Sequence, residues 1–92
     1  MRVLEARFYP QQKGLGEFVI VGHVVWEGAQ ARPVVQPSSA LLMRSEPATL
    51  LSKLQYLVSV NGCGSFERLQ LLRSQFWSFV EVPLVSPSGG SA

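Results

Sequence analysis

Between Glu17 and Glu27 lies the run Phe-Val-Ile-Val-Gly-His-Val-Val-Trp, which constrains the fold more than any other segment of the chain. Its β-branched and aromatic residues suit a pleated surface and predict a strand. Simple alternation assigns Phe18, Ile20, Gly22, Val24 and Trp26 to one face and Val19, Val21, His23 and Val25 to the other. Both faces are apolar, so both need cover. The glycine in the middle, Gly22, points to a bulge or to a close approach by another backbone.

A partner strand precedes it. From Val3 to Tyr9 the residues alternate, with Leu4, Ala6 and Phe8 on one side and Val3, Glu5, Arg7 and Tyr9 on the other. The intervening Pro10-Gln11-Gln12-Lys13-Gly14-Leu15-Gly16 has the residues of a chain reversal, so 3–9 and 17–27 read as a hairpin. Ala31 to Gln36 reads as a short third strand. Pro33 lacks an amide hydrogen and Pro37 closes the segment, which places that strand at a sheet edge. Ser38 to Arg44 fits either a short strand or an irregular connection.

The C-terminal half changes period. Ser45-Glu46-Pro47 opens a helix over about 47–60, in which Leu50, Leu54, Leu57 and Val58 form one apolar stripe. Asn61-Gly62 ends it. Ser65 caps a second helix expected over about 66–79, with Leu69, Leu72, Phe76, Phe79 and Val80 on one face. From Gln75 onward the same residues also alternate, so the helix can instead stop near Ser74 and hand over to a strand. The expected architecture is α+β: an antiparallel sheet of three to four strands with two helices on one face, formed by residues 1–85, followed by a flexible tail over 86–92.

Composition bears on what such a domain does. Of 92 residues, 47% are hydrophobic and only 15% charged, where about a quarter is usual. So small a domain with so few charges is expected to cover apolar surface against another copy of itself or an unidentified protein partner. Unbroken apolar runs such as Phe18 to Val21 reach only four residues, far short of the roughly 18–20 that span a bilayer, so no membrane role is expected. The first residues alternate apolar and charged types rather than forming a signal peptide, and the lone Cys63 suits a reducing compartment. A cytosolic location is the resulting expectation.

The residues that carry chemistry are few. One histidine, His23, and one cysteine, Cys63, cannot make a zinc site, and the absence of aspartate removes the commonest ligand of hard cations, so neither a metal nor another cofactor is expected. No catalytic residue is assigned: a Cys63–His23 pair and a carboxylate pair drawn from Glu5, Glu17 and Glu27 are formal possibilities without a motif behind them. The loop Asn61 to Ser65 leads into a helix start but lacks the lysine and preceding strand of a phosphate loop. Eight lysines and arginines give a net charge of +2 without any cluster, which argues against nucleic acid as the partner.

The leading expectation is therefore a non-catalytic interaction module that forms a homodimer or higher oligomer, with Val19, Val21, Val25 and Trp77 at the interface. One alternative is a small-molecule-binding protein or enzyme whose aromatic-lined pocket is built from His23, Trp26 and Trp77. The other is weak nucleic-acid binding.

Overall fold

The computed structural model describes residues 1–28, 32–43, 47–60 and 65–83. Four strands, β1 (Arg2–Phe8), β2 (Val19–Trp26), β3 (Val34–Pro37) and β4 (Trp77–Val82), form one sheet in the order β3-β2-β1-β4, with every neighbouring pair antiparallel. Three helices, α1 (Ser39–Leu42), α2 (Pro47–Val60) and α3 (Phe66–Gln70), come between β3 and β4 in the chain. The α+β class, the N-terminal hairpin and the edge position of the third strand are as the sequence leads one to expect.

The helices cover one side of the sheet. Leu41 of α1, Leu50, Leu54 and Val58 of α2, and Phe66 and Leu69 of α3 bury themselves against Leu4, Ala6, Val21, Val24, Trp77 and Phe79 of the strands. In α2 the buried residues recur at four-residue spacing, so one stripe of a 3.6-residue helix meets the sheet. Among the described residues no helix is long and apolar enough to cross a membrane.

Two expectations need correction. The second helix does not run to 79: α3 stops at Gln70, and Trp77–Val82 is a strand that pairs with β1 from Val3↔Val82 to Phe8↔Trp77. The alternation from Gln75 onward was the better guide, because the sheet edge at β1 offers the backbone a ladder that a longer α3 would leave unpaired. The segment 38–44, open between strand and irregular chain, holds the short helix α1. Ser38 caps it, its Oγ accepting the Leu41 N–H at 3.1 Å.

The two faces of β2 are also not those of simple alternation. Ala6 pairs with Gly22 and Arg7 with Ile20, so Val21 is an extra residue in a β-bulge. Val21 turns into the core and is fully buried beside Val24. The bulge resets the alternation. Val19, opposite Phe8, lies on the helix side, while Ile20, opposite Arg7, lies on the open side together with His23 and Val25, which face Glu5 and Val3. Gly22 is where both sequence readings meet: it sits in the bulge, and a Cβ there would strike the carbonyl oxygen of Gln36 in β3.

Candidate interaction surface

Because directly opposed residues share a face, the strand registers build the open side of the sheet row by row. One row crosses all four strands as Val34, Val25, Val3 and Val82. The next reads Gln36, His23, Glu5 and Val80, and the third is Ile20, Arg7 and Ser78. Phe18, Tyr9 and Phe76 close the far end, where the Tyr9 ring packs tilted against Phe18 with centroids 5.5 Å apart and the Tyr9 N–H donates to the Phe76 carbonyl. Val34, Phe18, Phe76 and Val80 are all exposed, Val34 by about half of its surface.

The polar groups on this side are engaged with one another. Arg7 donates from Nε to Oε2 of Glu5 at 2.5 Å, and His23 Nε2 lies 3.7 Å from the other carboxylate oxygen. The hydrogen bond to Glu5 is the main reason the Arg7 guanidinium holds its proton more tightly than an ordinary arginine, against the opposing cost of burial. The same guanidinium lies 4.6 Å over the Phe18 ring, and the Tyr9 hydroxyl and Ser78 Oγ are 3.2 Å apart. A compensated polar patch is thus set among the exposed Val34, Val80, Phe18 and Phe76, with Val3 and Val25 buried beside it.

The other side of the sheet holds the tryptophans. Trp26 packs edge-on to Phe66 with ring centroids 5.2 Å apart, and Arg2 lies 3.7 Å over that Phe66 ring. Trp77 is buried between Phe8 at 5.2 Å and Phe79 at 6.4 Å. His23, on the open side, is therefore separated by the sheet from both Trp26 and Trp77, and the three do not line one pocket. The four valine and tryptophan positions singled out for an interface divide likewise: Val25 alone is on the open side, while Val19, Val21 and Trp77 are on the helix side. Val34, Val80, Val82, Phe18 and Phe76 join the open face instead. The exposed valines of β3 and β4 are legible as strand residues, but their shared face follows from register alone.

Among the described residues, two shallow grooves lie beside the helices. An open groove of about 310 Å³ runs along α2 between Lys53, Tyr56 and Leu57 and reaches Trp77. A second, of about 440 Å³, lies beside α3 between Glu67, Leu71 and Arg73. His23 lines neither. Among the described residues no three His, Cys, Asp or Glu side chains cluster in a way that would hold a metal ion. Cys63, the loop 61–64, and the tail 86–92 lie outside the described residues. Compared with known proteins, the chain matches no family model, no curated protein and no solved structure.

Proposed function

We propose that this protein is a non-catalytic, cytosolic protein-interaction module that associates with further copies of itself through its sheet. The observation that carries the reading is the open face: among the described residues the helices cover one side of the sheet, and the other side exposes Val34, Val80, Phe18 and Phe76 around a centre in which Val3 and Val25 are buried and Glu5 pairs with Arg7. Exposed apolar side chains around an internally paired polar centre suit another protein surface. Among the described residues, the arginine of that centre is paired with Glu5 rather than left free for a phosphate backbone.

Light scattering during size exclusion, at two protein and two salt concentrations, tests this reading. A species of a stable multiple of 10.1 kDa, little affected by salt, is the expected result. A monomer throughout would overturn it.

A further inference from the structure

The two edges of the sheet differ. At one edge, β3 has four residues, follows Pro33 and ends on Pro37, so proline blunts it at both ends. At the other, β4 has six residues, Trp-Ser-Phe-Val-Glu-Val, with no proline until Pro83. Antiparallel strands direct backbone groups alternately inward and outward, and one hydrogen bond settles which do which here. The Tyr9 N–H donates to the Phe76 carbonyl at 2.7 Å, so Phe76, Ser78, Val80 and Val82 turn their backbone groups toward β1. Trp77, Phe79 and Glu81 turn theirs outward.

The Trp77 N–H is already held by Ser74 Oγ at 3.3 Å. Among the described residues, the outward N–H and C=O of Phe79 and Glu81 have no neighbouring strand, since β4 ends the sheet.

We propose that two copies join through this edge, β4 against β4 antiparallel, with Val80 facing Val80 of the second copy on the two-fold axis. This rests on the self-association reading and places the contact at the edge of the sheet rather than on its open face. In this register Phe79 of each copy opposes Glu81 of the other, and the two N–H and two C=O groups on each side are used up in four backbone hydrogen bonds. The ladder then stops by itself: Trp77 would next oppose Pro83, one with its N–H engaged by Ser74 and the other with none. A strand opposed to itself thus satisfies every outward N–H left free on β4. The only charge on the strand offers no barrier, because Glu81 is held by Arg2 of its own copy through two hydrogen bonds of 3.0 and 3.1 Å. Val80, exposed on the open face, gains a β-branched neighbour in a non-hydrogen-bonded pair, where cross-strand side chains are closest.

Disulfide trapping of the full chain in a Cys63→Ser background tests the register. Opposed residues of a non-hydrogen-bonded pair have the separation a disulfide requires, so oxidised Val80→Cys should give about ten-fold more covalent dimer than Ser78→Cys or Val82→Cys alone. A mixture of Ser78→Cys and Val82→Cys should cross-link where neither does by itself, because Ser78 opposes Val82 across the axis. Glu81→Pro, which deletes an outward N–H, should run as a folded monomer, whereas Glu81→Gln should remain associated. A dimer by light scattering that gives neither cross-link overturns the edge pairing and leaves self-association standing. A monomer by light scattering that also gives no cross-link overturns both.

Discussion

Gly22 of β2 and Gln36 of β3 approach so closely that a single methyl group on Gly22 would collide with the Gln36 carbonyl oxygen. The obstacle is backbone, held in a ladder from Gly22↔Pro37 to Val25↔Val34, and it cannot swing aside as a side chain could. Gly22→Ala is expected to destabilise the protein by about 1–3 kcal/mol, the cost of forcing an extra carbon into a packed site. A urea midpoint equal to the parent's would show that β3 does not press on the bulge.

Ser38 holds the same bulge from the other end. Its N–H donates to the Val21 carbonyl at 3.0 Å, and its hydroxyl donates to the Ile20 carbonyl while accepting the Leu41 N–H that starts α1. Ser38→Ala removes the bulge contact and the helix cap together and should cost about 1–2 kcal/mol in equilibrium unfolding. Ser39→Ala, on an exposed position one residue later, should lie within about 0.5 kcal/mol of the parent.

Val21 and Val34 separate the two sides of the sheet. Lysine at the fully buried Val21 places a charge in the core and should cost about 3 kcal/mol or more, enough to unfold a marginal domain. Glutamate at the half-exposed Val34 should change unfolding of the monomeric chain by no more than about 0.5 kcal/mol. Circular dichroism melts of both variants check the assignment. A native-like melt for Val21→Lys would contradict the bulge.

Leu54, fully buried at the centre of α2, anchors the helix layer to the sheet. Leu54→Ala should cost about 2–5 kcal/mol, whereas Leu71→Ala, three-quarters exposed after α3, should be nearly neutral. Chemical denaturation of the two variants side by side measures the difference.

The Arg2–Glu81 pair ties the start of β1 to the end of β4, and the hydrogen bonds from Arg2 hold the Glu81 carboxyl below the usual glutamate value. A carboxylate whose pKa is lower in the folded chain stabilises it above the unfolded carboxylate value. That contribution is lost as pH falls through the lowered folded value. Both side chains are exposed, so the effect is small. Glu81→Gln should be slightly less stable than the parent at neutral pH, and the gap should close in acid once the Glu81 carboxylate is protonated in the folded chain, as urea titrations at neutral and acid pH will reveal.

Much of this architecture is written locally. The hairpin of 3–9 and 17–27, the edge strand after Pro33 and the helix from Pro47 to Val60 each follow from alternation, turn residues or a 3.6-residue stripe. Gly22 announced both a bulge and a close approach, since a glycine inside an otherwise bulky strand has few other uses.

Residues 75–82 are where local pattern fell short. Phe76, Phe79 and Val80 fit a helical face, and Phe76, Ser78, Val80 and Val82 fit a strand equally well, so no window of sequence chooses between them. The choice was made by β1, nearly seventy residues away, whose free edge pairs the backbone of Trp77–Val82. The candidate surface has the same origin. Sequence alone determined that β2 would be apolar on both faces. Only the tertiary structure decided which residues each face holds, because one bulged residue exchanges the two sides of a strand whose side chains alternate with a period of two.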